Sequence, residues 1–200
     1  MIRAKVTIRG TKPIIFHRFN IEEMRNLSKI KSGSSGNNPE EWRNGFFQEG
    51  GRLYMPGIYM QSAFKNGSVH TKVGRGTVQK TWISAVQIED LKIFFNREMP
   101  KDWENISTND FTVDVNSPVF LDICMVSNPN TKGRNIRYRI GCSIGWECSF
   151  SLLIDDTIIS KEIVKKVVSD TGKLQGLADG RTLGYGRFEV LDLEFSTLDS

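Results

Sequence analysis

No run in the 200 residues approaches the ~18 consecutive apolar side chains that a membrane helix needs, so no membrane partner is expected. The opening residues, MIRAKVTIRG, alternate apolar and polar side chains as a strand does. They lack the continuous apolar core of a signal peptide, and a cytoplasmic location is expected. Cysteine is scarce: Cys124, Cys142 and Cys148 are odd in number and form no Cys-x-x-Cys pair. Each lies in an apolar, strand-like context and reads as a buried free thiol. The only histidines, His17 and His70, lie far from the cysteines in sequence, so no zinc set is spelled out. Neither a metal nor a cofactor is expected.

Several chemical signatures are also missing. There is no Gly-x-Ser-x-Gly, no His-Glu-x-x-His and no Gly-Lys-Ser/Thr phosphate loop. No pair of glutamates is spaced as in a glycosidase, and Asp155-Asp156 reads as a strand-ending turn. The aromatic motif of a sequence-reading RRM is absent as well. What remains is an ordinary globular composition, 38% hydrophobic and 25% charged, of a length suited to a single domain over 1–200. The net charge of +4 and pI of about 9.0 mean that a polyanion would not be repelled. Where the cations lie therefore matters more than how many there are.

Along the chain, residues 2–9 put Ile2, Ala4, Val6 and Ile8 on one strand face and Arg3, Lys5, Thr7 and Arg9 on the other. Pro13-Ile14-Ile15-Phe16 forms a second apolar segment that ends at His17. A short helix capped by Asn20 is expected over 20–31. SGSSGNNP offers nothing to bury, and 30–50 is expected to be a flexible loop. Residues 52–55 read as a short strand stopped by Pro56-Gly57, with a helix from 58 to about 65. A helical or apolar segment is expected at 82–88. Strands are expected at 92–96, 111–115, 119–126, 135–140 and 147–154, with a hairpin tip at 127–134. Ser160 caps a helix over 161–171 whose apolar face is Ile163, Val164, Val167 and Val168, with Gly172 as its terminator. A last strand covers 187–195. This order predicts the α+β class: a ferredoxin-like or RRM-like antiparallel sheet with helices on one face and inserted loops.

Residues 176–190, GLADGRTLGYGRFEV, place four glycines and two arginines directly before the last strand. Glycine permits close backbone approach, so such a loop can offer N–H groups to a phosphate, with Arg181 and Arg187 adding charge. It follows a helix and enters a strand, the reverse of a dinucleotide fingerprint. This segment resembles the glycine-rich loop of the RAMP superfamily of CRISPR-associated proteins, of the form Gly-x-x-x-x-Arg-x-x-Gly-aromatic-Gly. Gly176, Arg181, Gly184, Tyr185, Gly186, Arg187 and Phe188 match it. A second element, Leu53-Tyr54-Met55-Pro56-Gly57 with the residues up to Lys65, is similar to that family's strand, Pro-Gly and basic helix. The resemblance implies a ferredoxin-like core. It also implies a role like that of the backbone subunits that wrap guide RNA, in antiviral defence, with Ala63 and Lys65 beside the RNA. A phage or mobile-element relative of the same fold fits equally well.

Cations gather in two basic loops, 66–80 and 127–136. The first holds Lys65 at its edge, then His70, Lys72, Arg75 and Lys80. The second holds Lys132 and Arg134 and continues into Arg137 and Arg139, with Tyr138 between them. Lys65, Lys72, Arg75, Lys132, Arg134, Arg137, Arg139, Gly180, Arg181, Gly184, Gly186 and Arg187 are the expected contacts to a single strand of RNA or DNA. The expected partners are that strand and either further copies of the chain or other subunits of a ribonucleoprotein. Two other functions are compatible with these residues. One is a metal-independent endoribonuclease that processes a hairpin RNA with His17 as general acid or base, aided by Lys65 or Arg18. The other is a mobile-element interaction protein that binds a nucleotide or a protein partner.

Overall fold

The computed structural model describes residues 1–18, 38–127 and 134–198. The expected helix over 20–31, the SGSSGN stretch and Lys132 lie outside them.

The alternating residues at the start form β1 (Ile2–Gly10), with Ile2, Ala4, Val6 and Ile8 all buried. β1 is the second strand from one edge of a seven-stranded sheet. On one side it pairs antiparallel with β12 (Phe188–Thr197), and on the other with β11 (Glu147–Ile154). Beyond β11 come β7 (Val86–Ile88) and β8 (Lys92–Glu98), then β4 (Arg52–Pro56) and β3 (Gln48–Glu49). Helix α1 (Gly57–Gly67) follows β4, and α3 (Lys161–Asp170) links β11 to β12. Strand, helix, strand pair, helix, strand, with β12 and β11 flanking β1, is the ferredoxin-like arrangement. The expected fold class is therefore the observed one.

Both helices pack on one face of the sheet. Met60, Ala63 and Phe64 of α1 and Val164, Val167 and Val168 of α3 are buried there. The Phe64 ring meets Trp82, Phe150 and Phe188 at centroid distances of 5.7, 5.5 and 6.5 Å. Trp82 comes from α2 (Gln79–Ala85), which follows a small hairpin of β5 (Lys72–Val73) and β6 (Gly76–Thr77).

A smaller sheet of β2 (Ile14–Ile15), β10 (Arg134–Cys142) and β9 (Val119–Ser127) lies alongside. Its stems pair as the expected hairpin, Arg134 opposite Ser127. Phe16, just after β2, meets Phe95 of β8 edge-on at 5.4 Å and joins the two sheets.

Three local expectations differ from what forms. Within the expected flexible loop over 30–50, Glu41–Asn44 form a short 3-10 turn and Gln48–Glu49 a strand, because Trp42 and Phe46 have a core to bury in. Residues 111–115 are not a strand. The backbone N–H of Asp114 donates to Thr112 Oγ1 and that of Asn116 to Asp114 Oδ1, so short polar side chains take the groups a ladder would need. Gly172 does not end the helix either. A wider turn over Thr171–Gln175 follows α3 and stops at Gly176, where φ is +74°. Gly172 is there for closeness: a Cβ would lie 2.3 Å from the Phe188 carbonyl oxygen.

Candidate nucleic-acid interface

Three segments far apart in sequence meet around His17. The first is the exit of β2. Phe16 N donates to Ile140 O at 2.8 Å and Arg18 N to Gly45 O at 2.7 Å, which leaves His17 exposed between two fixed neighbours.

The second is the turn from β4 into α1. Pro56, at φ −58° and ψ 137°, is the residue preceding the helix, and Gly57 is its first. Only glycine fits there, because a Cβ would lie 1.9 Å from the Asp90 carbonyl oxygen. The close approach lets Gly57 N donate to Leu91 O at 3.0 Å and fixes where α1 starts. Tyr59, Ser62 and Ala63 then fall on one side of the helix, at the spacing that puts residues on a common face.

The third segment is the glycine-rich loop. Gly176, Gly180, Gly184 and Gly186 all have positive φ, and so does Ala178, at +59°. A left-handed non-glycine residue is strained, and Ala178 sits at the lip of the cleft. The loop is stitched down along its length. Asp179 N donates to Ile15 O, Gly186 N to Pro13 O, Leu177 N to Gly186 O, and Leu183 N to Gly180 O. Most of its N–H groups are thereby used within the protein, so the loop presents side chains rather than a cradle of amides.

These segments enclose a cleft of about 210 Å³ lined by Phe16, His17, Arg18, Phe47, Tyr59 and Arg181 among others. His17 and Arg181 also border the adjoining groove, with Arg137, Arg139 and Asp179. Arg139 is only 5% exposed. Its guanidinium donates to Asp122 Oδ2 at 2.7 Å, to Asp179 Oδ2 at 2.6 Å and to Cys124 Sγ at 2.8 Å. Burial works to raise the pKa of Asp179. The Gly180 N–H at 2.8 Å, the Arg139 guanidinium and the nearby His17 outweigh it and hold the carboxyl below its ordinary value. Burial raises the Cys124 thiol despite Arg139 beside it. Arg137 donates to Glu41 Oε2 at 3.0 Å, and the same buried carboxylate accepts from Tyr138 N at 2.7 Å.

Of the expected contact residues, Arg181, Gly180 and the partly paired Arg137 border the cleft system. Arg139 borders it too, but its charge is neutralised by two carboxylates and it ties β10 to the glycine loop. Gly186 is buried, and Gly184 lies at the surface of the same loop. Arg187 keeps one buried guanidinium nitrogen with no hydrogen-bond partner among the described residues. Lys65 is exposed on α1 and does not line the cleft; Lys72 and Arg75 are exposed on the β5–β6 hairpin. Arg134 is exposed at the start of β10. Sequence reasoning named Arg18 only as a partner of His17 and missed Phe47 and Tyr59. The Pro-Gly turn was the signal that could have found Tyr59. No pattern marks Phe47, which comes from the inserted segment before β3. Among the described residues no three metal-ligating side chains cluster, and no helix is long and apolar enough to cross a membrane.

Solved structures share this fold. A chain of the cryo-EM structure of the Type III-B Cmr-beta bound to cognate target RNA superposes with a TM-score of 0.52 at 13% identity, over 98% of this chain. This chain covers 61% of that one. No protein-family model and no curated protein matches the sequence.

Proposed function

We propose that the chain binds single-stranded nucleic acid, RNA before DNA, in the cleft around His17, as a backbone-type subunit of a RAMP-like ribonucleoprotein. The observation that carries this reading is convergence. The Pro-Gly helix start and the glycine-rich loop lie more than a hundred residues apart in sequence, and both wall the same cleft. Arg18 and Arg181 stand in that cleft without a carboxylate in ion-pair contact among the described residues. Guanidiniums in such a place bind phosphate and stack on bases. Lys65, Lys72, Arg75 and Arg134 are exposed cations that would extend the contact beyond the cleft. That the same fold occurs in a complex named as bound to target RNA supports the choice of RNA.

Fluorescence anisotropy with a labelled single-stranded RNA tests it. Binding should be salt-dependent and nearly blind to sequence, and Arg181→Gln should weaken it. Absence of binding at low salt would remove the reading. A second reading rests on His17, which is exposed at the junction of the cleft and its neighbouring grooves. There a hairpin RNA would be cut without metal by a histidine acting on a 2′-hydroxyl.

A further inference from the structure

The sheet has a second face, away from α1 and α3, and its two halves differ. Across β12, β1 and β11 it is polar and internally paired. Arg3 donates to Glu89 at 2.6 Å and Arg9 to Glu147 at 2.7 Å, and the hydroxyls of Thr7 and Ser149 meet at 2.8 Å. In RRM domains aromatic rings on such a sheet face stack bases. Here β1 and β11 offer none on this face.

Across β8, β4 and the residue before β3 the same face is aromatic. Tyr54 and Phe94 are directly opposed across β4 and β8, their ring centroids 5.5 Å apart. Phe47 lies 5.5 Å from Tyr54 on the other side and 5.7 Å from Tyr59 of α1. All four rings are at least partly exposed, Tyr59 by 41%. A cation lies against each of three of them: Arg18 over Phe47 at 4.8 Å, Lys92 over Tyr54 at 5.4 Å and Arg52 over Phe94 at 5.3 Å. Lys92 also pairs with Glu49 at 2.7 Å, whereas Arg18 and Arg52 meet no carboxylate in ion-pair contact among the described residues.

The strip has two ends. At one, Phe47, Tyr59 and Arg18 are walls of the His17 cleft. At the other, Arg52 enters a groove shared with Asn96, Arg97, Glu98 and Pro118, where Arg97 Nε is buried with no hydrogen-bond partner among the described residues.

We infer that this strip is a stacking platform for unpaired bases, carrying a single strand out of the His17 cleft and across β4 and β8 to the Arg52–Arg97 groove. The inference rests on the cleft being a nucleic-acid site and adds a second subsite to it. Rings interleaved with cations suit a strand of bases and phosphates, because a base can stack on a ring or on the guanidinium already lying over it. A protein interface core would instead be depleted of charge.

Anisotropy with labelled oligouridylates of about 4 and about 12 nucleotides tests the strip, with a third probe of the longer length whose bases outside one four-uridine block are abasic. The intact protein should bind the long probe at least about fivefold more tightly than the abasic one. The double variant Tyr54→Leu/Phe94→Leu keeps apolar bulk but removes the rings. It should lose that gain while holding the short probe as before, and retained binding of the short probe reports an intact fold. Arg52→Gln leaves every ring in place and should weaken only the long probes. If the double variant keeps the base-dependent gain, the strip is no platform and the cleft reading stands. If the intact protein binds no probe, both fall. RNA affinity unchanged in the variant, with a smaller assembly mass by light scattering, would give the strip to a protein partner and overturn the inference.

Discussion

Arg139 and Asp179, 40 positions apart, meet at 2.6 Å and fasten the β9–β10 hairpin to the glycine-rich loop. Asp122 takes the other side of the same guanidinium, so one buried cation holds two carboxylates from different elements. Asp179→Asn should cost about 1–2 kcal/mol of stability, less than loss of a fully buried pair, because Asp179 is 43% exposed and Asp122 remains. Folding lowers the Asp179 pKa. Its contribution is therefore complete above the ordinary carboxylate range and is lost as pH falls through the folded value. The difference between the urea midpoints of parent and variant should shrink as pH falls below the ordinary carboxylate range; a constant difference would show that the pair does not titrate as described.

The loop glycines should separate into two kinds. Gly186 has φ +69°, and a Cβ there would lie 2.0 Å from the Leu177 carbonyl oxygen. Gly184 has φ +88° with open space around it. Gly184→Ala should cost about 1 kcal/mol for its left-handed backbone, and Gly186→Ala distinctly more, since backbone must move as well. Thermal unfolding monitored by circular dichroism compares them, and equal losses would contradict the difference in space.

Burial pushes the Cys142 thiol up to about 12 and raises Cys148 as well. Neither has appreciable thiolate at pH 8, so iodoacetamide should label Cys124 first and the other two only on unfolding. Peptide mass mapping against time reads the order. Labelling of Cys148 in folded protein at the rate of Cys124 would mean that β11 is open.

Local patterns foretold much of this fold. Alternation set β1 with its two faces, and Ser160 with four spaced aliphatic residues set α3, because each signal concerns neighbours a few residues apart. Two of the three cleft-forming segments were also visible, as Pro56-Gly57 and the four loop glycines. What local pattern did not carry was pairing at a distance. Nothing near Arg139 says that Asp122 and Asp179 will neutralise it, so it read like Arg134 or Arg137. The aromatic strip was hidden for the same reason. Phe47, Tyr54 and Phe94 come from three segments, and only the pairing of β3 on β4 and the register of β4 on β8 bring them together.

His17 separates the two functional readings. Under the binding reading, purified protein incubated with a labelled hairpin RNA in chelator leaves it whole, and His17→Ala changes affinity by about the loss of one weak contact. Site-specific cutting by the parent that disappears in His17→Ala, with binding preserved, would establish the nuclease instead. Gel electrophoresis of the RNA decides between them.

The cations should divide by whether their charge is already matched. Each phosphate contact to a single strand contributes about 0.7 to the slope of log affinity against log salt. Arg18 and Arg181 line the cleft with no carboxylate in ion-pair contact among the described residues, so Arg18→Gln and Arg181→Gln should each flatten that slope by about one contact and leave the unfolding midpoint nearly unchanged. Arg139 is already held by Asp122 and Asp179. Arg139→Gln should do the reverse: it leaves the mostly buried Asp122 and the half-buried Asp179 unpaired and lowers stability by about 3 kcal/mol, and the salt slope of the protein that remains folded stays near that of the parent. Lys72→Gln and Arg75→Gln, on the exposed β5–β6 hairpin, show how far the strand runs past the cleft. A slope lowered by both places the hairpin on its path, and an unchanged slope confines binding to the cleft. Salt titrations of binding and urea unfolding on the same preparations give both quantities. A flattened slope for Arg139→Gln at unaltered stability would mean that its guanidinium turns outward to the phosphate, against the buried pairing with Asp122 and Asp179.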